Sequence, residues 1–169
     1  YAPPGSTAAR SDCGGPVTLI VDRSGSIGAD IVDVRRGVAE FVKVFAGTAT
    51  QLQIVDFANT SSALGAGPGS WNKYWDLTER SQVETLIGPN GDAGLVAGLT
   101  APSSGNTNWE DALFRTFYTR TGARHDAVPD PDAPMPELVV FFTDGLPTRD
   151  RAELKSDDAP TALGTPVDA

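Results

Sequence analysis

Short apolar runs alternate along this chain with longer segments whose apolar residues recur at helical spacing. Residues 16–21 are apolar at nearly every position, as a strand covered on both faces must be. Ile31, Val34, Val38, Phe41, Val42 and Phe45 then form one helical stripe, which Gly47 ends. Residues 52–57 predict a second core strand. Residues 62–66 and 74–77 flank the turn Gly67-Pro68-Gly69 and predict an edge strand or a hairpin-like excursion. Ser81 with Glu84 fits a capping box opening a helix that carries Val83, Leu86 and Ile87, closed by Gly88-Pro89-Asn90-Gly91. Residues 92–99 predict a short helix. Asn108 with Asp111 marks another helix start, with Leu113, Phe114, Phe117 and Tyr118 inward and Gly122 as terminator. Residues 127–136, with four prolines and two aspartates, predict an exposed loop before a last apolar strand at 138–142.

Strand and helix in alternation predict a parallel-rich sheet with right-handed crossovers and helices on both faces. Residues 1–15, rich in Pro, Gly, Ser and Ala, read as an arm, and residues 16–169 as one domain. Residues 151–156 are a possible helix start, and residues 157–169 are polar and carry no strand pattern. The strand at 138–142 is therefore expected to present an apolar edge, an association hazard that calls for a cover.

The chemistry concentrates where the apolar runs stop. Asp22-Arg23-Ser24-Gly25-Ser26 directly follows the first strand, and Thr143-Asp144-Gly145 follows the last. Between them, Ser104-Gly105-Asn106-Thr107-Asn108-Trp109-Glu110-Asp111 is a polar loop entering a helix. In an open α/β sheet the crevice at the carboxyl ends of the strands is where ligands sit. Asp22, Ser24, Ser26, Thr107 and Asp144 would bring oxygen donors alone to that crevice, a set suited to a hard divalent cation such as Mg²⁺. The bland reading is that Asp22, Ser24 and Ser26 cap a helix and Asp144-Gly145 is a plain turn. It is about even for each segment alone and weak for all three together.

These three segments resemble the von Willebrand factor A domain family, whose metal-ion-dependent adhesion site has the pattern Asp-x-Ser-x-Ser, then a Thr, then an Asp. The resemblance covers residues 16–148. It implies a Rossmann-like open, mostly parallel sheet of about six strands, of which this chain supplies about four, the C-terminal strands being absent. It further implies Ser24 and Ser26 as direct ligands and Asp22 and Asp144 acting mainly through water. Thr107 would bind directly or through water. The ion is expected to be Mg²⁺, with Mn²⁺ or Ca²⁺ as alternatives. Held by uncharged hydroxyls, such an ion stays electrophilic and receptive to a Glu or Asp carboxylate of a partner protein. A helix starting near Gly28 would add a favourable dipole.

Composition narrows the partners. The 169 residues are 40% hydrophobic and 21% charged, ordinary for a globular domain. A net charge of −9 and a pI near 4.4 argue against nucleic acid. No apolar stretch approaches a membrane span, so no membrane insertion of this segment is expected. The first residue, Tyr1, is not followed by a basic, apolar leader, so any export signal is expected to have been removed or never to have existed. Cys13 is either a lone thiol in the lead-in or half of a disulfide with a partner outside this sequence. His125, the one histidine, reads as a solvated loop side chain, and Asp130 with Asp132 as part of a solvated Pro-rich loop. Trp71 and Trp75 read as core cover, Trp109 as a rim residue or a packing residue, Glu110 and Asp111 as caps, and Asp56 has no evident role.

The leading functional expectation is a non-enzymatic adhesion module of an extracellular surface or pilus-type protein, binding a matrix or cell-surface protein. An intracellular scaffold for ATPase or chelatase machinery is the alternative, with a cytoplasmic location. A metal-dependent hydrolase using Asp22 or Ser24 ranks third, because no histidine base lies near a strand end.

Overall fold

The computed structural model describes residues 14–67, 70–101, 105–120, 127–129 and 135–148. Most of the N-terminal arm with Cys13, together with Gly122, His125, Asp130, Asp132 and the helix expected from residue 151, lies outside the described residues. In chain order the elements are β1 (Pro16–Asp22), α1 (Ile31–Phe45), β2 (Gln51–Phe57), β3 (Ser61–Ala63), β4 (Tyr74–Asp76), α2 (Arg80–Ile87) and α3 (Gly94–Ala97). They continue with α4 (Trp109–Phe117), β5 (Tyr118–Arg120), β6 (Ala127–Pro129) and β7 (Leu138–Phe142). A 3-10 turn, Gly28–Asp30, leads into α1.

β1 is the centre of an open, mixed sheet. It runs parallel to β2 over its whole length, from Pro16↔Gln51 to Asp22↔Phe57. On its other side it runs parallel to β7, from Val17↔Leu138 to Val21↔Phe142. Side chains of a strand alternate between faces, and each face of this sheet has its own cover. Val17, Leu19, Val21, Leu52 and Ile54 meet Val38, Ala39 and Val42 of α1, with Leu86, Ile87, Val96 and Leu99 filling in around them. Ile20, Val55 and Phe57 meet Ala112 of α4, with Trp109, Val139 and Phe141. The result is the Rossmann-like α/β layering that alternating elements dictate, with the parallel ladders at its middle.

Several local expectations fail for identifiable reasons. Of the two expectations for residues 62–66 and 74–77, the edge strand holds and the hairpin does not: β3 and β4 each pair antiparallel with β2, β3 at residues 55–57 and β4 at residues 51–53. Lying end to end on one long neighbour satisfies more backbone groups than two three-residue strands facing each other would. The connecting chain folds back at Gly65, whose φ of 78° and close approach to the Trp75 ring leave no room for a side chain. The capping box at Ser81 is not formed either. The helix starts at Arg80, whose side chain holds Glu84 at 2.6 Å. Its entry is set upstream, where Asp76 Oδ1 accepts the Thr78 N–H at 2.9 Å and Gln82 Oε1 accepts the Asp76 N–H at 2.9 Å.

In α4 the expected inward face holds only in part, with Phe114 and Phe117 half-buried. Ala112, Asp111 and Thr116 are buried, while Leu113 is 39% exposed. The reason is what α4 crosses: the Asp111 carboxylate accepts the backbone N–H of Ser61 at 2.7 Å and its hydroxyl at 2.8 Å, so the contact with β3 is polar. Asp111 is thus a cross-link to β3 and not a cap. Part of the expected loop at 127–136 is β6, paired antiparallel with β5. β7 behaves as anticipated: among the described residues no strand pairs with its outer side, and Leu138 and Phe142 are 46% and 37% exposed.

Candidate functional site

The register of β1 on β7 decides the geometry. With Val21 opposite Phe142, the next pair along is Asp22 and Thr143, side by side where both strands end. Asp22 follows Ile20 onto the face under α4. There its carboxylate, fully buried, accepts the Thr143 hydroxyl at 2.8 Å on one oxygen and the Ser24 backbone N–H at 2.7 Å on the other. Both oxygens are therefore engaged before any ligand arrives.

From that floor a line of oxygens climbs to the surface. The hydroxyl of buried Ser24 stands 2.9 Å from that of exposed Ser26, which donates to Asp144 Oδ1 at 3.0 Å. Neither serine caps a helix: α1 begins only at Ile31, and no side chain caps it or the 3-10 turn ahead of it. The dipole expected near Gly28 starts with that short turn, α1 itself opening further on.

Thr107 is brought to the same crevice by its backbone. Gly25 N–H donates to Gly105 O at 3.3 Å, tying the 105–108 loop to the serine loop. Thr107 N–H donates to the Thr148 hydroxyl at 2.9 Å, and Thr148 N–H returns a bond to Thr107 O at 3.0 Å. Asn108 then opens α4 as its sequence suggests, its side-chain oxygen accepting the Asp111 N–H at 3.0 Å while its amide donates to Asn59 O at 3.1 Å. Asn108→Ala removes both a helix cap and a loop tether, and should lower stability by about 1–2 kcal/mol. Thermal denaturation checks this as a fall of roughly 3–6 °C.

Arg23 goes the other way. One residue after Asp22, it follows Val21 onto the α1 face, where its Nε is in ionic contact with Asp56 without the alignment of a hydrogen bond. Its Nη1 donates to Thr100 O at 2.8 Å, and Ser62 donates to Asp56 at 2.7 Å. Asp56, without a role in the sequence, is thus the buried anchor of the loop. The same loop sends its cation away from the crevice and its carboxylate into it.

Do these residues suit a hard cation? Every donor is oxygen. Two cis ligands of an octahedral Mg²⁺ at about 2.0–2.1 Å lie about 2.8–3.0 Å apart, the square root of two times that radius. The Ser24–Ser26 separation of 2.9 Å matches that edge, and Asp144, 3.0 Å from Ser26, stands where it could act through water. Among the described residues no three His, Cys, Asp or Glu side chains gather around one point. The crevice has two carboxylates, and its other donors are hydroxyls, so the donor set fits a hard, oxygen-seeking ion and not a soft one.

Thr143, Thr148, Asn59 and the Arg23–Asp56 pair carry this arrangement and were not singled out in the sequence. Thr143 was within reach: it follows Phe141 by two, so alternation sends it to the face of Asp22. Thr148 and Asn59 act through backbone partners distant along the chain, for which no local pattern exists. Trp109 settles as a packing residue, its ring 5.4 Å from that of Phe141. Trp75 is buried in the core, and Trp71 lies under the Arg115 guanidinium at 3.8 Å. A groove of about 660 Å³ between α1 and α2, lined in part by Lys43, Arg80 and Glu84, opens at the opposite end of the strands and gathers no comparable donors.

No family model matches this chain, and no curated protein matches it. Among solved structures it is similar to the proximal thread matrix protein 1 of the mussel byssus, with a TM-score of 0.52 and 16% sequence identity. The match covers 88% of this chain and 37% of that one, so the chain spans little more than a third of that protein's length. At this identity the likeness is one of fold: an open α/β sheet with helices.

Proposed function

We propose that this chain is a non-enzymatic protein-binding module of the von Willebrand factor A kind, working through a divalent cation held at the strand ends. The observation that carries the reading is the row Ser24 Oγ, Ser26 Oγ and Asp144 Oδ1, at successive separations of 2.9 and 3.0 Å, above a pinned Asp22. Ser24 and Ser26 offer neutral oxygens. Asp22, with both oxygens already accepting bonds, keeps the serine loop in shape and would act on an ion through water. Thr107, on a loop tied by its backbone to both other loops, would add a third hydroxyl. A Mg²⁺ held by these residues would supply an electrophilic centre for a Glu or Asp carboxylate of a partner protein. The chain's own charge of −9 would repel an acidic partner, so the attraction has to be concentrated at this one point. An extracellular matrix or cell-surface protein is the partner class that this chemistry and the family resemblance favour.

Stabilisation by mass action tests the first half of the reading. At a Mg²⁺ or Mn²⁺ concentration about 100-fold above the dissociation constant, a single site adds about 2.7 kcal/mol. For a chain of this size that is a rise of roughly 5–10 °C in melting temperature. Ser24→Ala should remove most of the rise, and EDTA should reverse it. An intact protein whose melting temperature ignores both cations does not carry the site.

A further inference from the structure

We propose that Thr148 is a positioning residue of this crevice, locking the Thr107 loop to the loop that carries Asp144; the assignment rests on the cation-site reading above. Three separate segments must hold their oxygens in place together. The β1 and β7 loops are joined by side chains, Thr143 to Asp22 and Ser26 to Asp144. The 105–108 loop meets the serine loop through one long bond, Gly25 N–H to Gly105 O at 3.3 Å. Its attachment to the β7 loop is of another kind. Thr148 takes the N–H of Thr107 on its hydroxyl at 2.9 Å and gives its own N–H to the Thr107 carbonyl at 3.0 Å.

Two bonds to one residue fix both the place and the rotation of the Thr107 backbone, and with them the aim of its side chain. A single bond would leave a hinge. The residue ahead, Pro147, has its φ locked by the ring, which presents Thr148 in one orientation at little entropic cost. Thr107 is 4% exposed, whereas Thr148 lies at the surface. Thr148 therefore acts on the site from outside, and its hydroxyl can be removed without opening a cavity in the core. Groups that orient a metal ligand without touching the ion commonly change affinity by 10–100-fold when removed.

The test uses the full chain, Mn²⁺ as the probe and isothermal titration calorimetry as the readout, with the cation-free melting temperature measured in parallel. Thr148→Val keeps shape and the backbone bond to Thr107 O but loses the acceptor; Thr148→Ser keeps the acceptor. Thr148→Val is expected to weaken Mn²⁺ binding roughly tenfold and Thr148→Ser to bind as the unaltered chain does. Thr148→Ser should melt within about 3 °C of it in the absence of cation, and Thr148→Val roughly 3–6 °C lower, since the Thr107 N–H it leaves without its acceptor is largely buried. Unaltered binding by Thr148→Val, or equal weakening by both variants, overturns the assignment while leaving the cation site standing. If the unaltered chain binds no Mn²⁺, or Asp22→Ala binds it equally well, the cation reading itself falls and takes this one with it.

Discussion

Asp22→Ala is expected to abolish the response to Mg²⁺ and to lower the cation-free melting temperature by roughly 10 °C. The carboxylate is fully buried and accepts from two donors, the Ser24 N–H and the Thr143 hydroxyl. A buried donor left without a partner costs about 1–3 kcal/mol. The Thr143 hydroxyl has a second acceptor in Gly145 O at 3.2 Å, so most of the penalty falls on the Ser24 N–H and on the space left behind. A loss near 3 kcal/mol follows from those terms. Asp22→Asn separates the two roles of the residue. It retains an acceptor for Ser24 N–H and an amide that can donate to the Thr143 oxygen, so it should cost only about 1 kcal/mol. The charge is gone all the same, and with it the cation response. An Asp22→Asn chain that keeps its full Mg²⁺ shift would show that the carboxylate is structural alone.

The second large effect lies one residue further on, on the opposite face. Arg23→Ala leaves the carboxylate of Asp56 buried beside Val21 with only the Ser62 hydroxyl for company. Breaking one side of a buried ion pair costs about 3–5 kcal/mol, and the partial exposure of Arg23 argues for the lower end. The bond from Nη1 to Thr100 O goes as well, which frees the segment between α3 and the Thr107 loop. A double-mutant cycle gives the decisive number. Arg23→Ala with Asp56→Ala should be less destabilised than the two single changes added together, by about 1–2 kcal/mol, because no bare charge remains. Strict additivity by chemical denaturation would mean that the pair is only a surface contact.

Much of the layering was readable in advance because it follows from period alone. The stripe from Ile31 to Phe45 and the apolar runs of β1, β2 and β7 describe buried faces, and burial is what those patterns encode. Reading failed where polar groups do the packing. Periodicity puts Leu113 inward and it lies outward, since Asp111 answers Ser61 across fifty residues and a hydrophobicity rule cannot see that pairing. Thr18 and Gln53 sit in runs that read as core. They are indeed buried, but as a hydrogen-bonded pair at 3.0 Å that continues to Asn72. At the crevice the contrast is sharper. Asp22, Ser24, Ser26 and Asp144 were found from their junctions, and the structure strings them together. Of the groups that hold them, Thr143 is implied by strand alternation from Phe141, whereas Thr148 and Arg23 gain their meaning from partners distant along the chain, which a linear pattern does not carry.

β3 and β4 cover the flank of β2 with two three-residue strands, whereas among the described residues the five-residue β7 has no strand on its outer side. A further strand added beside β7 in parallel, supplied in cis or in trans, would bring its own carboxyl end to the rim that already holds Asp144.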